Sequence, residues 1–284
     1  MVVVIIALTV LGLCLGSFVN ALVWRVHKQG QRTKNVERRT KNGAEDYSIL
    51  NGRSMCTRCK HILAWYDLIP VVSWISLGGK CRYCHKHISI QYPLVEISTA
   101  VLFAVSYAFW PSEFHLPSSI FLFGLWLIIL TGLVALAVYD LRWMLLPDRI
   151  VFPLQGIAFV YVLASFLESS GDLHILLGAF LGILCSAGLF YVLFHVSNGK
   201  WIGGGDVKLA VVLGLVLGGA VEALLMLFIA SAVGSLIGIP LLVAKKTKLQ
   251  GKLPFGPLLI GSTIIVVLFG ASIIGWYKHQ FLFI

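Results

Sequence analysis

The stretch SSIFLFGLWLIILTGLVALAVY (residues 118–139) contains 22 residues and no charged side chain. A helix of roughly 20 apolar residues matches the ~30 Å hydrocarbon core of a bilayer, so this stretch predicts a transmembrane helix. Six further apolar stretches lie at about 2–23, 93–110, 150–168, 173–195, 222–244 and 256–276. An eighth, shorter stretch at about 207–220 starts directly after Asp206. We therefore expect an all-α polytopic membrane protein with about eight transmembrane helices.

The composition of the whole chain agrees with this class. Of its 284 residues, 58% are hydrophobic and only 12% are charged, and the mean hydropathy is +0.92. These values exclude an ordinary soluble domain of this size. Residues 1–23 resemble a signal peptide in length, but the charges follow the apolar run and no small-residue cleavage site comes after it. We therefore expect an uncleaved first helix.

Positive charge is concentrated in residues 25–92. This segment holds 13 of the 22 Lys and Arg residues against four acids, which is +9 of the formal net charge of +10. Lys and Arg accumulate in cytoplasmic loops, so the pattern places the segment in the cytoplasm and the N-terminus outside. The shorter basic segments at 140–150, 196–208 and 245–252 then face the same side, which favours eight spans over seven. No nucleic-acid recognition motif accompanies the charge, and anionic lipid headgroups are the more economical partner.

The same segment contains four of the six cysteines, as CTRC and CRYC. Cys56, Cys59, Cys81 and Cys84 follow the pattern C-x2-C-x21-C-x2-C, which is close to the spacing of structural zinc sites. Disulfides are disfavoured in the cytoplasm, so zinc is the favoured interpretation, with a redox pair or metal-free thiols as alternatives. Three histidines beside the motifs could replace a thiol ligand: His61, His85 and His87. The other two cysteines lie in apolar stretches and are expected to be inert packing residues: Cys14 and Cys185.

Two other parts of this segment are distinctive. The stretch WYDLIPVVSWISLGG (65–79) is too apolar for a solvated loop and too short and proline-broken to span a membrane. Its aromatic residues predict a position at the membrane interface or against the helices. The polar, charge-rich stretch 28–54 is interpreted as a mobile connector.

Five acids lie in or at the ends of apolar stretches, where ionisable residues are functional candidates. They are Glu96, Asp140, Asp148, Asp206 and Glu222. Glu222 is expected near the outer end of a helical hairpin, where it can simply mark an interface. Glu96 begins the second predicted helix, where a carboxylate favours the N-terminal dipole, and this explanation is as good as a functional one.

Asp140 and Asp206 are the stronger pair of candidates. Both fall at cytoplasmic ends of predicted helices, so they can share a depth and reach water. Of two neighbouring carboxylates, one keeps a proton while the other activates water, which is the chemistry of peptide hydrolysis without a metal. The glycines before Asp206 let another backbone come close. Alternatively, these acids cap helices or pair with Arg142 and Lys208, and the spacing alone favours neither interpretation.

Ordered motifs along almost the whole chain resemble those of the type IV prepilin peptidase family (prepilin leader peptidase/N-methyltransferase). They run from GSFVNALVWR in the first helix through the paired CxxC, LGGKC, QYPLVE, D-x6-PD and GGGDVKL to PFGP at 254–257. A lone GxGD is moderately specific, whereas the ordered set is very specific. Two positions depart from the family's pattern. Arg142 stands where a common variant has a second acid, and RVHK follows the first helix in place of the frequent RLP.

The resemblance implies a function and a domain organisation. Members remove a short basic leader from prepilins or prepilin-like proteins at the cytoplasmic face of the bacterial inner membrane, and then methylate the new N-terminal amine with S-adenosylmethionine. The family's catalytic aspartates fall on Asp140 and Asp206, and its zinc-binding cysteines fall on those of CTRC and CRYC. Residues 93–284 would form the aspartic peptidase domain. A first helix at 1–24 would precede a zinc domain at 25–92 that contributes to methyl transfer.

Substrate and methyl-donor contacts are predicted less directly. Residues close to the aspartates are expected to bind the substrate: Gly203, Gly204, Gly205, Asp148 and Lys208. Asp148 is also expected to cap the helix at 150–168. No Rossmann-type glycine fingerprint is visible, so the residues do not place the site for S-adenosylmethionine. Gly78, Gly79 and the two CxxC motifs are a hypothesis for that contact.

Other functional classes share some of these features. Presenilin-like and signal-peptide peptidases also combine YD with GxGD, as Tyr139-Asp140 and Gly203 to Asp206 do here, but their Pro-Ala-Leu motif is absent. A cation-coupled transporter would place acids deep in the bilayer on several helices, whereas these acids gather at one predicted face. A metalloprotease is disfavoured because the eight histidines form no H-E-x-x-H motif.

Overall fold

The computed structural model describes residues 1–34, 54–111, 117–243 and 254–282, which are nearly all helical. The chain divides into two compact units, Met1–Ala108 and Phe109–Ile284. The helices of the first unit are α1 (Val2–Lys34), α2 (Val72–Ser76) and α3 (Gln91–Ala108). Those of the second are α4 (Pro117–Trp143), α5 (Asp148–Glu168), α6 (Leu173–Ile183), α7 (Leu189–Val196), α8 (Gly204–Leu217), α9 (Ala220–Val243) and α10 (Gly256–Tyr277). Short π-helical turns join α6 to α7 and follow α10, at Leu184–Gly188 and Lys278–Leu282.

The prediction of an all-α polytopic membrane protein is confirmed, and the number of eight spans is approximate. Six helices in the described ranges are long and apolar enough to cross a membrane: α1, α4, α5, the continuous α6–α7, α9 and α10. The remaining two of the eight predicted spans correspond to α3 and α8. Helix α3 has 18 residues but is less apolar, and α8 has only 14 residues. At 1.5 Å per residue α8 is about 21 Å long, shorter than the ~30 Å hydrocarbon core.

The first helix is longer than its apolar stretch. It was expected to end near residue 23, but α1 continues to Lys34. The added turns contain Arg, Lys and Gln, which are good helix formers, so helix propensity extends the helix after hydropathy has fallen. This helix includes the start of the connector predicted at 28–54, and residues 35–53 of that connector lie outside the described part of the chain.

In the first unit α1 packs directly against α3. A Cβ atom on Gly12 would lie 2.6 Å from the Ala100 Cα, and one on Gly16 would lie 2.6 Å from the Glu96 Cα. Small residues four positions apart let two helix backbones approach closely in a membrane. The contact between α1 and α3 therefore depends on these two glycines.

In the second unit α8 is the central helix. It packs against α5, α6, α7, α9 and α10, and its middle is fully buried around Leu209 and Leu213. Glycines again set one close contact: a Cβ atom on Gly214 of α8 would lie 2.7 Å from the carbonyl oxygen of Gly182 in α6. One turn further along, the Ser186 hydroxyl donates to the carbonyl of Ala210 in α8 at 3.0 Å. These contacts fix the position of α8, whose N-terminal turn contains Asp206.

Candidate active site and metal centre

Asp140 lies in the last turn of α4, and its side chain is only 5% exposed. Its Oδ2 accepts a hydrogen bond of 3.2 Å from the backbone N–H of Gly256, the first residue of α10. A Cβ atom on Gly256 would lie 2.7 Å from the same oxygen, so only glycine leaves room for this contact. The carboxylate is thereby held at the N-terminal, positive end of the α10 dipole.

Asp206 is the third residue of α8 and is half-buried. Its Oδ2 accepts a hydrogen bond of 3.3 Å from the backbone N–H of Gly203. A Cβ atom on Gly205 would lie 3.0 Å from the Cβ of Leu146. The residues that link α4 to α5 therefore pack against the first turn of α8, next to this carboxylate.

Asp140, in the last turn of α4, and Asp206, in the first turn of α8, lie close enough for their charges to interact. Each backbone contact taken singly resembles a helix cap, but capping does not require two acids to be neighbours. Neighbouring carboxylates with restricted access to water disfavour double ionisation and share a proton. This arrangement can supply a general base and a general acid at one place.

Asp148 does not cap α5 as expected. It is the first residue of that helix, whose N-cap position is Pro147, and no side-chain capping bond is formed there. Instead its Oδ1 lies 2.7 Å from the Nζ of Lys208, in an ion pair whose side chains are 54% and 40% exposed. A charged partner across the helix contact competes better for this carboxylate than the helix's own N–H groups.

Gln155 was not singled out from the sequence. Its Nε2 donates a hydrogen bond of 2.8 Å to the backbone carbonyl of Lys208, two residues after Asp206. Together with the Asp148 ion pair, this bond ties α5 to the first turns of α8. An amide within an otherwise apolar helix was the available signal, because such a group requires a partner.

The four cysteines of CTRC and CRYC form one cluster. Their Sγ atoms all lie within 4.8 Å of one another, and those of Cys56 and Cys84 are 3.9 Å apart. In a tetrahedral zinc site with Zn–S bonds of about 2.3 Å, neighbouring sulfurs are about 3.8 Å apart. All six cysteines of the chain are free thiols. The cluster can therefore hold a metal ion.

The two CxxC motifs fold as equivalent knuckles, residues 54–63 and 79–88. In the first, the backbone N–H of Cys56 donates to the carbonyl oxygen of His61, and the N–H of Lys60 donates to the carbonyl oxygen of Cys56. The second repeats this pattern with Cys81, Lys86 and His85. Lys60 and His85 both adopt positive φ angles, 61° and 54°. The repetition explains why the two pairs of sulfurs face one point.

Backbone donors prepare one thiol for ionisation. Burial opposes the ionisation of Cys56, but N–H groups of Cys59 and Arg58 donate to its sulfur, and the pKa of Cys56 is lowered to about 7. Burial raises the pKa of Cys81. Zinc ligands bind as thiolates, so binding of a metal here must release protons.

The histidines proposed as substitute ligands do not join the sulfurs. In the described residues the metal-competent group contains only the four cysteines. The His61 ring instead lies against the Tyr83 ring, with centroids 3.7 Å apart. The cluster is thus a four-sulfur site, which is the composition of closed structural zinc centres.

Gly78 and Gly79 have a structural explanation. Their φ angles of 57° and 67° turn the chain from α2 into the second knuckle. A Cβ atom on Gly79 would lie 2.9 Å from the Trp74 ring. Their contact with a methyl donor stays a prediction, as does substrate binding by Gly203, Gly204 and Gly205.

The last two acids differ in environment. Glu222 lies in the first turn of α9. Glu96 is 6% exposed, and its Oε2 accepts a hydrogen bond of 2.7 Å from the backbone N–H of Val71. Glu96 therefore binds a distant loop and not the N-terminus of its own helix.

Comparison with known proteins gives two family-model matches and several curated relatives. Residues 10–110 match the bacterial peptidase A24 N-terminal domain, and residues 127–239 match the type IV leader peptidase family. A relative from Aeromonas hydrophila is 34% identical, over 95% of this chain and 92% of its own. Relatives from Pseudomonas aeruginosa and Pectobacterium carotovorum are each 33% identical, over 94% of this chain and 91% and 94% of their own. All three are named prepilin leader peptidase/N-methyltransferase. No solved structure matches the chain significantly.

Proposed function

Since this chain belongs to the type IV leader peptidase family, we propose that it removes the leader peptide of prepilins or prepilin-like proteins and methylates the N-terminal amine so exposed. The observation that carries the peptidase activity is the pair of carboxylates, Asp140 and Asp206, whose charges interact. Each is oriented by a glycine N–H, from Gly256 and Gly203 respectively.

The proposed cleavage needs only these two side chains and water. The ionised carboxylate takes a proton from water as the water oxygen attacks the carbonyl carbon of the scissile peptide bond. The protonated carboxylic acid donates its proton to the leaving nitrogen as the C–N bond breaks. The products are a leader carboxylate and a mature chain with a free α-amine, and the acid and base have exchanged roles.

Substrate access is proposed through the half-buried Asp206. The glycines at 203–205 place no side chain between this carboxylate and an approaching extended backbone. Asp148 and Lys208 lie beside it as an exposed ion pair, which can contact polar groups of the substrate. The excess positive charge of residues 25–92 supports a cytoplasmic position for this catalytic face in a bacterial cell. The proposed partners of that charge are anionic lipids, and no nucleic-acid partner is proposed.

The metal is proposed to be zinc, held by Cys56, Cys59, Cys81 and Cys84. Four thiolates leave no open coordination position, so zinc here stabilises the loop and takes no part in cleavage. We assign methyl transfer to the zinc domain, residues 25–92 in the proposed division of the chain, and peptide cleavage to residues 93–284. S-adenosylmethionine, when bound, supplies the methyl group.

Product mass tests both activities at once. The full chain in membranes or detergent is incubated with a prepilin, with and without S-adenosylmethionine. Loss of the leader is expected in both reactions, and a mass increase of one methyl group only with the donor. Cleavage without methylation in the presence of the donor would reject the second activity, and an intact prepilin in both reactions would reject the first.

A further inference from the structure

The segment between the two knuckles contains a strained turn at Val71. The Val71 φ and ψ angles are 62° and −51°, and the N–H of Val72 donates to the carbonyl of Pro70 at 2.6 Å. This is a γ-turn with a positive φ at its centre, a conformation that is rare even for unbranched residues. For a β-branched residue it is a genuine outlier. Such strain persists only where surrounding contacts impose it, and it is concentrated at functional sites.

Glu96 binds the residue at the centre of this turn. Its Oε2 accepts the N–H of Val71 at 2.7 Å, and the side chain also hydrogen-bonds with Ser17 of α1. Glu96 is buried at the contact of α1 with α3, where its Cα lies against Gly16. Asn20 adds a second polar contact between α1 and α3, because its Nδ2 donates to the carbonyl of Tyr92 at 3.1 Å. The turn is thus fixed to a rigid helix pair.

The γ-turn at Val71 also positions the second knuckle. It starts α2, whose Trp74 donates from Nε1 to the carbonyl of Ile88 at 3.2 Å. The Trp74 ring also fills the space beside Gly79, two residues before Cys81. A continuous series of contacts therefore runs from the helix pair to the metal cluster, and the Glu96–Val71 bond is its first link.

We propose that Glu96 is a positioning residue for methyl transfer, which holds the inter-knuckle segment in its strained conformation against α1 and α3. The proposal rests on the methyltransferase activity proposed above. Glu96 acts through the Val71 N–H and the shape of the segment 65–79, and no proton transfer is required of it. Its role needs a hydrogen-bond acceptor and not a charge.

Three variants of the full chain separate this role from general destabilisation. Glu96→Ala removes the acceptor, whereas Glu96→Gln keeps an amide oxygen that can accept the same N–H. In Glu96→Ala/Val71→Gly, glycine adopts the positive φ without strain and should retain the turn without Glu96. Ile97→Ala is the matched control, since Ile97 is 45% exposed on the same turn of α3.

Two readouts are measured on each preparation: amide hydrogen exchange over residues 70–79, and the methylated and cleaved fractions of a prepilin. We expect Glu96→Ala to exchange faster over 70–79 and to lose methylation by about tenfold to a hundredfold, with cleavage retained. Glu96→Gln should keep most of the methylation, and the double variant should recover part of it. Ile97→Ala should match the wild type in both readouts.

Opposite outcomes overturn the proposal. Unchanged exchange over 70–79 in Glu96→Ala would show that the bond does not hold the segment. Equal loss of methylation in Glu96→Gln and Glu96→Ala would indicate a role for the charge. No recovery in the double variant would reject strain as the link. Absence of methylation by the wild type would reject the proposed function instead, and the exchange measurement would still decide the positioning role.

Discussion

The thiol cluster and the carboxylate pair are held in place by different forces. Among the described residues 54–90, only Gly79 and Cys81 are buried, and apolar side chains such as Trp65 and Val72 are largely exposed. Residues 54–90 are ordered by the hydrogen bonds within the knuckles, by the Glu96–Val71 bond and, when a metal is bound, by its four sulfur ligands. Asp140 and Asp206 instead lie on helices with fully buried side chains such as Trp126 and Leu213. Metal removal should therefore disorder the first region, whereas only local substitutions should disable the second.

The largest expected effect is on cleavage. Asp140→Asn or Asp206→Asn should lower prepilin cleavage by about 10³-fold or more, because each carboxylate is needed in a particular protonation state. The helices should remain folded, since both substitutions keep size and shape. Cleaved fraction against time is the measurement, with circular dichroism to check the fold.

Glu222→Gln is the matched control for these variants. It removes an acid from the same unit and should cleave at the wild-type rate. Substantial cleavage by either aspartate variant would remove that residue from the proposed dyad.

The second prediction concerns Gly256, whose backbone N–H donates to Asp140. Gly256→Ala would place a Cβ atom 2.7 Å from Asp140 Oδ2, so the carboxylate must move. Displacement of a catalytic group by about 1 Å costs about 10²-fold, which is the expected fall in kcat. Gly261→Ala, on the same helix but facing open space, is the control and should leave kcat unchanged. Equal kcat values for the two variants would show that the Gly256 contact does not position Asp140.

The third prediction compares the effect of losing the metal on methylation with its effect on cleavage. Cys56→Ser/Cys59→Ser should release the metal and lower methylation to below about one-tenth, because a closed metal site supplies folding free energy that so small a unit lacks otherwise. Cleavage should fall by no more than a few-fold, since the dyad is held by apolar packing. Metal content per chain, cleaved fraction and methylated fraction are measured on one preparation.

Cys14→Ser is the control for that experiment, because Cys14 is an exposed thiol of α1 away from the cluster. Retained metal in the double variant would reject the ligand set. Full methylation without metal would separate the metal from that activity, and equal loss of both activities would contradict the difference between the two regions.

The smallest effect is expected at the exposed ion pair. Asp148→Asn or Lys208→Met should change cleavage by less than about tenfold, because exposed ion pairs contribute only about 0–1 kcal/mol. Gln155→Leu removes the bond to the Lys208 carbonyl and should act on kcat more than on KM, since it affects the orientation of α8 and not substrate contact. A hundredfold loss of cleavage in Asp148→Asn would move Asp148 into the catalytic group.

The sequence predicted those features that depend on composition or short spacing. Apolar stretches gave the helices of the membrane domain, and C-x2-C spacing brought four cysteines together because each pair forms its own knuckle. The end of α1 was missed because hydropathy falls at Arg25 while helix propensity continues to Lys34. The Gly12 and Gly16 spacing was visible in the sequence, but the partner helix of such a motif is not encoded next to it.

Contacts between distant residues could not be predicted in this way. The Gly256 N–H that binds Asp140 and the Gln155 side chain that binds the Lys208 carbonyl belong to other helices far along the chain. The turn at Val71 contradicts the local preference of valine and exists because Glu96 outweighs that preference. Local rules fail at this position because a tertiary contact decides it.

The dependence of α1 on α3 has a consequence for biosynthesis. The helix α3 begins 57 residues after α1 ends, and at roughly 5–20 residues per second its first residue is made roughly 3–11 s later. During that interval Gly12 and Gly16 have no partner in α3, while the residues of CTRC and CRYC are synthesised. All residues of both knuckles are thus translated before Glu96. The order of synthesis therefore places all four metal ligands ahead of Glu96, so the carboxylate that binds the inter-knuckle segment is added to a chain that already contains the whole ligand set.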